Sequence, residues 1–134
     1  MASIRKEIQT SASPEQVWDA LRDVGALHTR LVPGFVVDTR LKPGERIVTF
    51  GNGMIVRERI IDVSDEMRRV AWSASGGSLT HHNGSAQVIV NSDNQTNVVW
   101  FADLLPNEAA GQIALMMEQA MAVMKTTLDS LVNE

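Results

Sequence analysis

Glu58 lies in the run Val56-Arg57-Glu58-Arg59-Ile60. Alternate side chains of an extended strand share a face, so Glu58 joins Val56 and Ile60, while Arg57 and Arg59 join Ile55 and Ile61. A carboxylate on an apolar face is costly to desolvate unless something pairs with it. Two readings follow. Glu58 is a structural group, salt-bridged to a nearby arginine or sited at an exposed strand end, or it is a polar group set in a pocket. His82 has the parity of Ala86 and Val88 and is expected to face inward; the alternative for His81 and His82 is a solvated loop end. Glu58 and His82 are the one pair the sequence offers for general acid–base work, so they are the catalytic candidates if a reaction is catalysed. Asp103 is a third polar candidate for a binding site, with capping of a helix entry near Pro106 as its alternative. Trp100 and Phe101 have opposite parity, so one of the two faces inward and the other does not.

Other chemistries find no support in the sequence. Cysteine is absent, which excludes disulfides, thiol catalysis and cysteine metal sites. The three histidines, His28, His81 and His82, show no ligand spacing with a carboxylate on one element, so no metal site and no cofactor are expected. There is no GxSxG elbow, phosphate loop or dinucleotide fingerprint. The net charge of −4, with no long basic cluster, argues against nucleic acid or an anionic membrane as partner. The N-terminal segment MASIRKEIQT lacks an apolar signal core, and no apolar run approaches membrane-spanning length, so the expectation is a cytoplasmic protein without membrane insertion. The expected organisation is one domain over residues 1–134, as a monomer or weak homodimer.

The elements that must position these residues are mostly short strands. Ser3 to Thr10 alternates and reads as the first strand. Ser13-Pro14-Glu15-Gln16 is a helix start, with Ser13 as N-cap, Pro14 at the first helical position and Gln16 completing a capping box. That helix is expected to reach about Arg22, with a second short helix from Asp23 to Arg30, ended by Pro33-Gly34. Six further strands follow: Phe35 to Leu41, Glu45 to Phe50, Met54 to Val63, Arg68 to Ser75, Leu79 to Val90 and Thr96 to Leu105. Their boundaries are turn signals, among them Lys42-Pro43-Gly44, Gly51-Asn52-Gly53 and Gly76-Gly77. Val70, Trp72 and Ala74 share one face, as do Ala86, Val88 and Val90.

The last quarter of the chain, Asn107 to Val132, changes period. Ile113, Met117, Ala120, Met121, Met124, Leu128 and Leu131 recur at helical spacing, widened by Met116, Val123 and Thr127. Glu118, Lys125, Thr126 and Asp129 take the opposite face, and Asn107 is the expected cap. Four of the seven methionines lie here. Methionine fills irregular space, so this face is either plain core or partly the wall of a ligand cavity. An apolar cavity between sheet and helix is expected, lined by Val56, Glu58, Trp72, Ala74, His82, Ala86, Met117, Ala120, Met121 and Met124, with Asp103 as a further candidate.

One strand, two short helices, six antiparallel strands and a long C-terminal helix is the layout of the START-like, SRPBCC or helix-grip superfamily: an α+β fold with a seven-stranded antiparallel sheet curved around that helix. The sequence resembles its polyketide cyclase/dehydrase branch. The matching pieces are Ser13-Pro14-Glu15-Gln16-Val17-Trp18, Arg57-Glu58-Arg59-Ile60 followed by Asp65-Glu66-Met67-Arg68-Arg69, and Trp100-Phe101-Ala102-Asp103-Leu104-Leu105-Pro106. From Glu58 through Val88 it also resembles plant abscisic acid receptors, through Arg68-Arg69-Val70, Ser75-Gly76-Gly77 and Leu79-Thr80-His81-His82. The resemblance implies a cavity holding a small, mostly hydrophobic lipid-, polyketide- or aromatic-like molecule. It implies Glu58 as a carboxylate contacting ligand through water, and His82 and Trp72 as aromatic ligand contacts. The loop between Gly77 and Leu79 is shorter than the receptor latch, and Phe50-Gly51-Asn52-Gly53-Met54 lacks the receptors' gate sequence, so signalling by gate closure is not implied. A binding or carrier protein is the first functional expectation. A cyclase or dehydratase working by general acid–base catalysis is the alternative, and an interaction module with a filled core stands third.

Overall fold

The computed structural model describes residues 2–76 and 79–133. Strand β1 (Ala2–Thr10) leads into helix α1 (Pro14–Leu21). Both halves of the capping box form: the Ser13 hydroxyl oxygen accepts the Gln16 N–H at 3.1 Å, and the Gln16 side-chain oxygen accepts the Ser13 N–H at 3.0 Å. Val17, Trp18 and Leu21 are buried. The second helix is shorter than expected and wound as a single π-helical turn, Leu27–Leu31, rather than starting at Asp23. The cause is local. Residues 22–26 form tight turns, Gly25 packs so close to the Leu41 side chain that a Cβ there would push it aside, and the Val24 carbonyl accepts a bond from the Arg46 side chain at 3.2 Å, which removes it from a helical ladder.

Strands β2 (Val36–Lys42), β3 (Glu45–Phe50), β4 (Ile55–Ser64), β5 (Arg69–Ser75), β6 (His81–Val90) and β7 (Thr96–Leu105) follow. The expected loop at Gly76-Gly77 lies partly outside the described residues. All seven strands form one antiparallel sheet in the order β1-β7-β6-β5-β4-β3-β2. Bulges in β2, between Val36 and Asp38, and in β4, between Ile60 and Asp62, bend the sheet. The curved sheet wraps helix α2 (Ala110–Asp129), about 30 Å long at the usual rise per residue.

Alpha-helical winding begins at Ala110, not at an Asn107 cap. Asn107–Ala109 form a 3-10 turn, and no side chain caps the entry. Met117, Ala120, Met121, Met124 and Leu128 are the buried residues of α2, and Met116, Val123 and Thr127 are half-buried beside them. The core lies between this stripe and the inner face of the sheet, through Val48, Val70, Ala86, Val88 and Val98, and is completed by α1 and the π-turn. Sheet edge β1 is held to α2 by Lys6 with Glu118 at 3.0 Å and by Asp129, which accepts from the Thr10 hydroxyl at 2.6 Å and the Ser11 N–H at 3.0 Å. Asp129 is therefore an anchoring group rather than the solvated one its position on the opposite face suggests. Among the described residues no helix is long and apolar enough to cross a membrane.

Candidate functional site

Register brings the polar and aromatic candidates into one stripe across the inner face. Arg46 of β3 stands opposite Glu58 of β4; Ile60 of β4 opposite Trp72 of β5; Trp72 opposite Gly84 of β6; and Ala86 of β6 opposite Trp100 of β7. Glu58 faces inward and is also paired: the Arg46 Nε–H donates to its Oε1 at 2.8 Å. Both groups are withdrawn from solvent, Arg46 at 3 % and Glu58 at 8 % exposure. Such a pair tolerates burial because each charge is neutralised and the guanidinium has further partners. Here those are the Val24 carbonyl and the face of Trp72, whose centroid lies 5.3 Å from the Arg46 Cζ.

Trp72 in turn lies across Gly84. A Cβ on that residue would fall 2.5 Å from the indole, so no larger residue leaves the ring where it is. Trp72 and Trp100 have centroids 6.3 Å apart with planes inclined by 55°. The wall is thus an arginine and two indoles, ordered by one buried ion pair and one glycine.

Between this wall and α2 lies an inner chamber of about 100 Å³. It takes Glu58, Trp72, His82, Ala86, Met117, Ala120 and Met124 from the expected set. Val56 and Ala74 line an adjoining outer chamber of about 130 Å³, together with Glu58 and His82. Met121 is not on either wall. It is buried in the core, because on α2 it is turned by one residue, about 100°, from Ala120. Asp103 is on the other face of the sheet. Val98, Ala102 and Leu104 of β7 are buried on the inner side with Trp100 beside them, so alternation sends Phe101 and Asp103 outward. The Ser3 hydroxyl donates to Asp103, which thus neither faces the cavity nor caps the helix. The same alternation decides the aromatic pair: Trp100 faces the cavity and Phe101 is 45 % exposed.

Two polar atoms in this region are buried without a hydrogen-bond partner among the described residues: His82 Nε2 and Trp100 Nε1. Burial pushes the His82 imidazole below its usual value near 6.5; Glu58 opposes this and His81 adds to it. His82 is accordingly neutral at pH 7. Arg46 and Glu58 cancel, so the cavity presents no net charge, an apolar lining and a small set of fixed polar groups. Among the described residues no cluster of three or more carboxylates or imidazoles is placed to hold a metal ion.

The lining also takes Arg46, Phe50, Leu27 and Leu31, which the sequence does not nominate, Trp100, which it leaves open against Phe101, and Ile113 and Met116, which it places on the apolar helix face without naming them as cavity residues. Arg46 had a signal. In Glu45–Phe50 it alternates with Val48 and Phe50, which places it inward beside Glu58. Gly84 had one too, as a glycine interrupting a strand of otherwise regular alternation. Of the π-turn residues, Leu27 reads as packing inward, but that it reaches the cavity depends on how the segment packs against β2 and α2.

The sequence model of the family described as polyketide cyclase/dehydrase and lipid transport matches residues 1–134. The chain belongs to that family. Solved structures agree at the level of the fold. An uncharacterised protein from Bacillus thuringiensis superposes with a TM-score of 0.84 at 18 % identity, covering 95 % of this chain and 98 % of that one. A norcoclaurine synthase from Thalictrum flavum, a point mutant in complex with a transition-state analogue, gives 0.72 at 20 % identity, covering 96 % and 95 %. A START superfamily protein from Mycobacterium smegmatis gives 0.71 at 9 % identity, covering 98 % and 97 %. No curated protein matches the sequence.

Proposed function

We propose that this family member, acting as one domain over residues 1–134, binds a small, mostly hydrophobic molecule between the curved sheet and α2. The observation that carries the proposal is an apolar cavity lined by His82 and Trp100, whose buried ring nitrogens Nε2 and Nε1 have no hydrogen-bond partner among the described residues. An unmade hydrogen bond in a dry site costs about 1–3 kcal/mol, which a ligand group can recover. Trp72 and Trp100 offer faces to a flat apolar body, and the methionines of α2 adapt to its outline. The test is a substitution at the cavity wall. Ala120→Phe is expected to fill the inner chamber, keep the fold and abolish uptake of the apolar fluorophore phenylnaphthylamine. Undiminished uptake by the folded variant would place the site elsewhere.

A second reading is enzymatic, a cyclase or dehydratase step on a polyketide-like or aromatic substrate. One observation favours it: a neutral imidazole near a carboxylate, its Nε2 without a partner among the described residues, is suited to accept a proton. The norcoclaurine synthase of the same fold holds a transition-state analogue, which lends the reading support. Turnover of a bound compound that is lost in Glu58→Gln and in His82→Ala would favour the enzyme; binding without turnover would leave the carrier.

A further inference from the structure

The cavity is divided, and the division has chemical consequences. The inner chamber of about 100 Å³ and the outer one of about 130 Å³ meet at five residues that line both: Phe50, Glu58, His82, Ile113 and Met116. Each chamber is somewhat smaller than the ~150 Å³ apolar cavity that holds a benzene ring, so each takes at most one ring or a short branched chain, with flexible methionines of the lining giving way. The flexible Met116 side chain is the part of the waist most able to move aside.

The waist is also where polarity is concentrated. Phe50, Ile113 and Met116 are apolar; Glu58 and His82 are the polar members. Glu58 already accepts from Arg46 through Oε1, whereas His82 Nε2 has no partner among the described residues. A molecule spanning both chambers has its middle, not its end, beside His82; Nε2 is itself almost fully buried, so a turn of the imidazole brings it to the ligand. With the Arg46 and Glu58 charges cancelling each other, a neutral middle group costs less to desolvate than an ionised one.

We propose that the site takes a neutral, two-lobed molecule: one apolar ring in each chamber, joined through a carbonyl or hydroxyl that lies at the waist and hydrogen-bonds to His82. The inference rests on the small-molecule reading above and narrows it to a ligand shape and to the position of its polar group. It disfavours single-ring ligands, which fill one chamber, and fatty acids, whose charge sits at one end.

The test compares four compounds by calorimetry on the intact protein: benzophenone, benzhydrol, diphenylmethane and acetophenone. The first two carry a central oxygen between two rings, the third lacks the oxygen, and the fourth lacks a ring. At least one of the two oxygenated diaryl compounds is expected to bind about tenfold more tightly than diphenylmethane, as one recovered hydrogen bond supplies, and more tightly than acetophenone. His82→Leu is expected to erase the preference for oxygen while diphenylmethane still binds. Val56→Trp, which blocks the outer chamber alone, is expected to weaken the diaryl compounds at least tenfold and to spare acetophenone. That second variant keeps the test decisive if His82→Leu fails to fold. Equal affinity for diphenylmethane, equal affinity for acetophenone, or an oxygen preference that survives His82→Leu would overturn the two-lobed proposal and leave the cavity reading intact. Binding of none of the four would overturn both.

Discussion

The two halves of α2 carry the same apolar period and meet the sheet differently. From Met121 to Asp129 the helix is closed down. Met121 and Leu128 are in the core, Met124 lies in the core and closes that end of the inner chamber, the Lys125 ammonium bonds the Gln9 carbonyl, and Asp129 holds the end of β1. From Ala110 to Ala120 its polar tie to β1 is the Lys6–Glu118 pair, and its apolar side borders open space. Its entry has no side-chain cap, Leu115 is exposed, and Ile113, Met116, Met117 and Ala120 face the cavity. Close packing is the rule in protein interiors, so a void persists only where neighbouring elements keep the helix from collapsing onto the sheet. Here the anchored half and the Arg46–Glu58–Trp72 wall act as those spacers. One stripe of residues thus supplies stability at one end and room at the other.

The sharpest way to break this comparison is a buried charge. Met121→Asp places an unpaired carboxylate in the core and is expected to cost more than about 4 kcal/mol, whereas Met116→Ala, at the cavity, is expected to cost about 1 kcal/mol or less. Urea unfolding of the two variants measures the gap; equal midpoints would erase the distinction between the halves. A smaller effect is expected at the anchor. Asp129→Ala removes acceptors for Thr10 and Ser11 and is expected to cost about 1 kcal/mol, allowing for partial solvent screening. Burial pushes the Asp129 carboxyl up, but the bonds from Thr10, Ser11 and Lys125 outweigh it and hold it below its ordinary value. Its contribution is therefore complete above about pH 4 and fades as pH falls through the lowered value. Melting curves of wild type and variant should converge in acid.

The smallest effect belongs to the cavity half. His82 is held below its usual value, so the unfolded chain binds its proton first as pH falls. Stability is full above about pH 6.5 and declines as pH drops toward the folded value. His82→Asn is expected to flatten the stability profile between about pH 6.5 and 5 and to leave it unchanged above 7. A profile as steep as wild type in that interval would show that His82 is not the titrating group.

Much of the architecture is legible in local pattern. Ser13 to Gln16 announces its helix because capping is decided within four residues. Glu45–Phe50 and Thr96–Leu105 coincide with their turn signals at both ends. The inward facing of Glu58, Trp72 and His82 follows from alternation within a single strand. What the local pattern does not contain is which strands are neighbours. Asp103 looks like a pocket candidate until β7 shows Trp100, Ala102 and Leu104 turned inward; the sequence of that strand is apolar on both faces, so alternation alone leaves its sides undecided.

By itself the sequence determined the element order, the helical stripe and the parity of the polar candidates, because each depends on the 2.0 or 3.6 period of a continuous segment. Only the tertiary structure decided the site. Arg46 reaches Glu58 because β3 pairs with β4. Trp72 lies on Gly84 because β5 pairs with β6. Met121 leaves the wall that Ala120 enters because α2 settles at one rotation about its axis. The cavity is a volume left between elements distant in sequence, and its size is set by how closely they approach, a quantity that no single segment encodes.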